Sequence, residues 1–234
     1  DACIDALETQ IEATRTARAG VLAELLSTPE DDWQTTTLGE VAGWYSGGTP
    51  RARDPKFYEN GSIPWAVIAD LLQDPIFETS KRITDAGLEQ IGGRVAPAGS
   101  VLISMYGTIG RTSVAGVDVA TNQAIAWGEV HTDCIVSNFL QLLLQSKQTF
   151  FEGVSRGAAQ KNINRRIIKS TNISLPPLAE QRRIVDLVGA IDTCIDALEV
   201  QVEADRTFRA GVLAELLSGE HRLPESYDKF VEAS

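Results

Sequence analysis

The feature that most constrains this chain is a segment of 27 residues that occurs twice, at 1–27 and at 192–218, with 22 positions identical. In both copies apolar residues recur at alternating steps of three and four, which predicts a helix with one coiled-coil stripe. A single helix cannot bury that stripe, so the copies are expected to pack on each other or on matching helices of a partner. The predicted helix-pairing residues are Ile4, Leu7, Ile11, Val21 and Leu25 in the first copy and Ile195, Leu198, Val202, Val212 and Leu216 in the second.

Polar residues also occupy positions in this seam. Arg18 is equivalent to Arg209, and Thr14 is equivalent to Asp205. Polar groups in a seam cost stability but can fix the register of the two helices. The alternative is that the seam frays there and these side chains face solvent.

The order of patterns predicts four parts, namely a helix at 1–27, a β-rich body at 28–178, a long helix at 179–218 and an acidic tail at 219–234. Thr28-Pro29 ends the first helix because proline cannot continue its hydrogen-bond ladder. Short apolar runs between turn signals predict a curled, mostly antiparallel sheet, with one helix over 138–151 packed on it. The predicted fold class is α+β, with a β-rich globular domain and long antiparallel coiled-coil helices.

The net charge of −11 is unevenly distributed. Acidic residues concentrate on the repeat helices and the tail, whereas residues 147–169 carry six basic residues against one acid. No apolar run approaches the ~20 residues that span a bilayer, so no membrane association is expected. Cys3 and Cys194 are equivalent repeat positions and Cys134 stands alone. No disulfide framework or metal site is indicated, and a reduced, cytoplasmic location is the default.

The residue types that enzymes need are sparse in this sequence. The only two histidines are His131 and His221, and although Cys134 follows His131 by three residues, neither histidine belongs to a spacing typical of a catalytic triad or a zinc site, so neither is predicted. The segment 107–112 lacks the Gly-Lys-Ser/Thr ending of a phosphate loop, so a tight strand turn is expected there. A non-catalytic protein is therefore predicted.

Nucleic-acid binding has better support from the residues. Lysine and arginine can neutralise phosphates, amide side chains can read adenine and arginine can read guanine. The alternative is that these polar and basic residues form an ordinary solvated surface without a nucleic-acid partner. The candidate DNA-contact residues are Thr49, Arg51, Arg53, Lys56, Tyr106, Thr108, Arg111, Arg156, Gln160, Lys161, Asn162, Asn164 and Arg165.

An ordered set of short motifs resembles the DNA specificity subunits of type I restriction-modification systems. The set covers nearly all of 33–218, and its specificity comes from the order rather than from any one motif. The motifs are Ser46-Gly47-Gly48-Thr49-Pro50, Ile63-Pro64-Trp65 with Asp70-Leu71, Pro97–Ser104 with Gly107-Thr108-Ile109-Gly110, Ala120–Ile125, Gly157–Asn164 and Leu175–Gln181.

The resemblance implies sequence-specific recognition of double-stranded DNA, with the target recognition domain reading one half of a bipartite site. It also implies that this subunit is non-catalytic and scaffolds modification (methyltransferase) and restriction (motor-nuclease) subunits. S-adenosylmethionine, ATP and magnesium are then expected only in those partners, and no cofactor is expected in this chain. A homodimer through the coiled-coil helices is a further expectation.

The chain departs from the full pattern of that family in two respects. It contains one recognition domain rather than two, and its first repeat lacks a counterpart of 178–191. A half-sized subunit and the C-terminal half of a longer one are both open, as is a missing or processed N-terminus, since the chain begins with Asp. The competing hypothesis is a coiled-coil assembly module whose globular domain binds protein rather than DNA.

Overall fold

The computed structural model describes residues 2–27, 32–156 and 162–218. The predicted break at Thr28-Pro29, the candidate residues Gln160 and Lys161, and the acidic tail lie outside them. The described residues form two compact units, a helical one from 2–21 with 188–218 and a body from 22–187. The body is longer than the predicted 28–178, since the adjoining ends of both repeat helices belong to it.

The order of elements is mixed, with helices and short strands interspersed. The helices are α1 (Ala2–Ser27), α2 (Leu38–Val41), α3 (Asp85–Gln90), α4 (Ser137–Ser146), α5 (Gln148–Arg156), α6 (Arg165–Lys169) and α7 (Leu178–Ser218), with 3₁₀ turns at Pro55–Phe57 and Ile68–Leu72. The strands are β1 (Gln34–Thr37), β2 (Ala42–Ser46), β3 (Ile63–Ala66), β4 (Arg82–Ile83), β5 (Val101–Ser104), β6 (Thr112–Val114), β7 (Ala120–Thr121), β8 (Ile125–Val130) and β9 (Asn172–Leu175).

In the helical unit, the two copies of the repeat pack on each other. Ile4 and Ile11 of α1 form a buried cluster with Ile195 and Val202 of α7. Partly buried apolar side chains of both helices border the cluster, namely Leu7, Ile191 and Leu198. These spacings of three, four and seven residues place one stripe of each helix against the other, as knobs-into-holes packing requires.

Ion pairs beside this cluster fix the two helices antiparallel. Arg15 binds Glu199 at 2.5 Å, and Arg206 binds Glu8 at the same distance. Arg15 corresponds to Arg206 in the repeat, and Glu8 corresponds to Glu199, so the same ion pair forms twice with the two copies exchanged. The interface is therefore self-complementary, as in a two-fold dimer. Arg18, whose side chain is 20% exposed, also binds Asp192 of α7. A seam arginine therefore contacts the opposite helix rather than facing solvent.

The structure does not bring four of the ten predicted helix-pairing residues into this cluster. Val21 and Leu25 are half-buried and Leu22 is buried, and residues from Leu22 onward belong to the body rather than to the helical unit. Val212 and Leu216 are 37% and 39% exposed. Arg206 lies opposite Glu8, and Val212 and Leu216 come six and ten residues later in α7.

The strands of the body form three small sheets rather than the single curled sheet predicted. Two strands pair in the order β1-β9, four in the order β2-β8-β5-β6 and three in the order β4-β3-β7. All pairs between these strands are antiparallel except β3 with β7. Because β1 pairs with β9, residues 34–37 at the start of the body lie beside residues 172–175 at its end.

The hydrophobic core of the body lies against the four-stranded sheet. Leu102 of β5 and Trp127 of β8 are directly opposite in the ladder and are both buried. They pack in one cluster with Ile76, Val119 and Ile125. Strands buried on both faces read as continuous apolar runs, which is why 101–103 is recognisable in the sequence.

The predicted single helix over 138–151 is two helices, α4 and α5, that meet at Lys147.

The three cysteines are free thiols, and burial raises the pKa of the Cys134 thiol. Among the described residues, no helix is both long and apolar enough to cross a membrane. Within the same ranges, no cluster of His, Cys, Asp and Glu could hold a metal ion.

Truncation of Leu102 tests the position of this core. We expect Leu102→Ala to lower the free energy of unfolding by about 2–5 kcal/mol, because it removes buried methyl groups and leaves a cavity. Leu72→Ala is the matched control, since Leu72 is 73% exposed and its truncation should change stability by less than about 0.5 kcal/mol. Urea unfolding followed by tryptophan fluorescence measures both. Equal effects of the two changes would contradict this core.

Candidate nucleic-acid interface

One end of the four-stranded sheet gathers the turns that carry most of the candidate residues. Ser46 at the end of β2 pairs with Ala126 near the start of β8. Ser104 at the end of β5 pairs with Ile125, and Ile103 pairs with Thr112 at the start of β6. The connections 47–62, 105–111 and 122–124 therefore leave the sheet at the same end, which we call the loop end.

Hydrogen bonds fix the start of the connection after β2 to residues of β7 and β3. Gly47 N–H donates to Thr121 Oγ1 at 3.1 Å, and Gly48 N–H donates to the Thr121 carbonyl oxygen at 3.0 Å. Trp65 Nε1 donates to the Gly48 carbonyl oxygen at 3.1 Å. Tyr58 donates its hydroxyl hydrogen to the Pro50 carbonyl oxygen at 2.7 Å, and burial raises the pKa of this tyrosine. These bonds give the glycine loop one defined path.

Beyond these anchors the connection exposes its cationic candidates. Arg51 is exposed while its backbone N–H donates to Gln90 Oε1 at 2.6 Å. Arg53 is exposed and takes a left-handed backbone conformation at φ 65°. Lys56, in the 3₁₀ turn that Asp54 caps, is also exposed. The three cations thus reach solvent from a connection that starts at the loop end.

Thr49 contacts a residue from a second connection at the loop end. Its hydroxyl donates to Gln123 Oε1, and Gln123 lies in the segment that leads into β8. A threonine–amide pair presents hydroxyl and N–H groups of the kind that read base edges. Gln123 lies within the Ala120–Ile125 motif but is not among the residues predicted from the sequence to contact DNA.

The turn between β5 and β6 carries a third set of candidate DNA-contact residues at the loop end. Tyr106, 41% exposed, and Thr108, also exposed, lie in this turn, while Arg111 at its end is half-buried. Ile163 N–H donates to the Met105 carbonyl oxygen at 3.1 Å, which places Asn162 and Asn164 beside the turn. The predicted strand turn at 107–112 is therefore part of a larger polar surface.

The remaining candidates have varied surroundings. The side-chain oxygen of Asn164 accepts from Ile167 N–H at 3.1 Å and thereby caps α6. This bond uses the oxygen of the Asn164 amide. Arg156 ends α5, with its side chain 76% exposed and 3.4 Å from Glu152. Arg165 is exposed in the first turn of α6, beside β2. Gln160 and Lys161 lie outside the described residues.

The opposite end of the same sheet anchors the long helix. Gln181 in the first turn of α7 is fully buried, and its side-chain oxygen accepts from Val136 N–H at 2.9 Å. Its amide nitrogen donates to the carbonyl oxygens of Cys134 and Pro176 at 2.8 and 2.9 Å. Residues 134–136 follow the end of β8 away from the loop end. The body thus separates its polar loops from its helix anchor.

This geometry defines a class of protein, a mixed α+β domain with polar loops at one sheet end, joined in sequence to a pair of repeat helices; the domain is not β-rich as predicted, because α2 to α6 hold as many residues as its strands. Comparison with known proteins gives the family. The family described as "Type I restriction modification DNA specificity domain" matches residues 30–204. The chain therefore belongs to the type I restriction-modification DNA specificity domain family.

Curated relatives agree with this assignment. The specificity subunit of the Escherichia coli type I restriction enzyme EcoR124I/EcoR124II is 26% identical over 180 residues, 75% of this chain and 45% of the relative. The MjaIX specificity subunit of Methanocaldococcus jannaschii is 27% identical over 180 residues, 74% of this chain and 40% of the relative. The chain thus spans less than half the length of these relatives.

Solved structures share the fold. The HsdS subunit from Thermoanaerobacter tengcongensis superposes with a TM-score of 0.67 at 23% identity, covering 91% of this chain and 53% of that one. A type I S subunit from M. genitalium gives 0.64 at 14% identity, covering 91% and 56%. The predicted α+β class, with a recognition domain and long helices, is therefore confirmed.

Replacement of Gly47 tests the anchoring of the first loop. A Cβ on Gly47 would lie 1.7 Å from the Thr121 carbonyl oxygen, so Gly47→Ala must displace the backbone and should destabilise the body by about 1–3 kcal/mol. Gly20→Ala is the control, since nothing lies within 4 Å in the middle of α1 and alanine should stabilise that helix by about 0.5–1 kcal/mol. Thermal unfolding measures both changes. Tolerance of alanine at Gly47 would contradict the described anchor.

Proposed function

We propose that this chain reads one half of a bipartite DNA site as part of a type I restriction-modification enzyme. The observation that carries the proposal is the strand register, which gathers Thr49, Gln123, Tyr106 and Thr108 at the loop end. Family membership supports the same function. No observation on the described residues favours the alternative of an assembly module whose globular domain binds protein.

The candidate residues divide by chemistry. Arg51, Arg53 and Lys56 are exposed cations suited to phosphate oxygens, and such contacts position a protein on a duplex without reading its sequence. Thr49 with Gln123 and the polar turn at 105–111 offer donors and acceptors for base edges in the major groove. Because one domain neutralises few phosphates, its affinity alone should be modest and should fall with salt.

The proposed role in this chain is recognition rather than chemistry. Methyl transfer and cleavage, with S-adenosylmethionine, ATP and magnesium, are assigned to modification and restriction subunits that dock on it. The expected compartment is the cytoplasm, where the duplex and these subunits occur together. The helical unit carries the docking surface in this proposal, since its charged outer positions are repeated in both copies.

Charge reversal at the loop end tests DNA recognition. The target sequence is first identified by methylome sequencing of cells with and without this subunit. We expect a methylated bipartite motif to be present in cells that contain the subunit and to be lost from cells that lack it. We expect Arg51→Glu to weaken duplex binding by the complex with its modification subunits about 10- to 150-fold, because a charge-assisted phosphate contact contributes ~1.5–3 kcal/mol. Arg182→Glu is the matched control, since Arg182 is also exposed but follows the anchor residue Gln181 at the opposite end of the sheet.

Titration of labelled duplexes measures both variants. Equal affinities for Arg51→Glu and the wild type, or an equal loss in Arg182→Glu, would contradict a DNA contact at the loop end. Persistence of the split methylation motif without this subunit would contradict sequence recognition as its function.

We also propose a homodimer through the exposed part of α7. Val212 and Leu216 of the second repeat copy correspond to Val21 and Leu25 of the first copy. Val21 and Leu25 are half-buried on α1. The helix pair within one chain is already self-complementary, so the occupant that best matches this exposed stripe is the same stripe of a second copy. Association would bury apolar side chains that are 37% and 39% exposed in the single chain.

A stripe variant tests the homodimer. We expect the wild type to sediment at twice its 25.3 kDa mass at high concentration, and Val212→Glu with Leu216→Glu to sediment as a monomer, because buried carboxylates would oppose association. Val200→Glu is the control on the same helix, since Val200 is 71% exposed and outside the stripe. Analytical ultracentrifugation measures all three. A monomeric wild type, or dimers that survive the double change, would contradict this proposal.

A further inference from the structure

Two clefts adjoin each other along β2, the edge strand of the four-stranded sheet. One has a volume of about 590 Å³ and lies between β2 and α6, and the other has about 420 Å³ and reaches Gly47 and Gly92. Both are lined by Trp44 and Arg165, so they form one groove. We call it the β2 groove.

The β2 groove is lined by four cations, Arg94, Arg165, Arg166 and Lys169. No aspartate or glutamate is among the described residues that line it. In a chain of net charge −11, such a segregation of charge makes this groove locally attractive to anions. Arg165 is among the residues predicted from the sequence, whereas Arg94 is not, because its only sequence signal is its position after Gly92-Gly93.

Arg94 is held in place by an aromatic side chain. Its guanidinium carbon lies 4.7 Å from the centroid of the Tyr45 ring, within the range of a cation–π contact. The Tyr45 ring also packs on Trp127, with 4.5 Å between ring centroids. A base stacking on Tyr45 would compete with these two contacts, whereas a phosphate needs only the outward N–H groups of Arg94. The geometry therefore favours a phosphate over a stacked base.

The β2 groove is continuous with the proposed recognition surface. Ser46 and Gly47 line its wall, and they begin the connection that carries Thr49 and Arg51. A duplex whose base edges face the loop end has its sugar–phosphate backbone on either side of the contacted groove. The adjoining cationic groove can therefore receive that backbone.

We propose that the β2 groove binds the sugar–phosphate backbone of the DNA beside the base-contacting loops, with Arg94 and Arg165 as phosphate-anchoring residues. This inference rests on the proposed function, DNA recognition at the loop end. It adds a contact that holds the duplex without reading its sequence. Specific and non-specific duplexes should use it equally, because every nucleotide carries the same phosphate.

The salt dependence of DNA affinity tests this proposal. Affinities of the complex with its modification subunits are measured for a target and a non-target duplex at several salt concentrations. We expect Arg94→Gln and Arg165→Gln each to reduce the slope of log affinity against log salt by about 0.9, because one phosphate contact is lost. Both duplexes should weaken by the same factor, and Arg94→Lys should retain most of the wild-type slope.

Arg82→Gln is the matched control, because Arg82 is an exposed arginine outside the groove whose guanidinium donates to the Ser62 carbonyl oxygen at 2.8 Å. Circular dichroism checks folding, and Arg165→Gln on an exposed short helix decides the question if Arg94→Gln unfolds. An unchanged slope in the folded glutamine variants, or a loss confined to the target duplex, overturns the groove proposal alone. A wild-type complex that binds neither duplex overturns the proposed function itself.

Discussion

The antiparallel register of β2, β8, β5 and β6 is the constraint on which the functional surface depends. It places the end of β2, the start of β8 and the turn between β5 and β6 at one end of the sheet. Each backbone hydrogen bond contributes only about 1 kcal/mol, whereas a one-residue slip would disrupt the close packing of side chains that are buried on both faces of β5. Burial of residues such as Leu102 and Trp127 therefore fixes where the polar loops emerge.

The repeated helices supply the second constraint. Their exposed ion pairs contribute little individually, about 0–1 kcal/mol each, and most of the stabilisation comes from the buried stripe of Ile4, Ile11, Ile195 and Val202. The ion pairs instead select one direction and one register, because each pairs an acid of one copy with an arginine of the other.

The sequence predicted elements better than it predicted their pairing. The stripe at Ile4, Leu7 and Ile11 indicated a helix, and apolar runs such as 101–103 indicated strands, because these patterns are local. The break at Lys147 and the division into three sheets were not predictable, since contacts between distant segments decide them. Exposure of Val212 and Leu216 has the same origin, because a stripe does not reveal the register of its partner. At the candidate site, Thr49 and Arg51 were found from a loop motif, whereas Gln123 and Arg94 acquire their surroundings only through strand pairing.

Hydrogen exchange of the proposed complex with modification subunits, with and without a duplex containing the proposed methylation target, tests the central claim most directly. We expect DNA to slow exchange of backbone amides in 47–53, 106–111 and 122–124, which lie at the loop end. We expect no change in 131–136, at the opposite end of the same sheet beside Gln181. Protection of 131–136 with unchanged exchange in the three loops would contradict DNA recognition at the loop end, because the DNA would then lie against the end of the domain that anchors the helix.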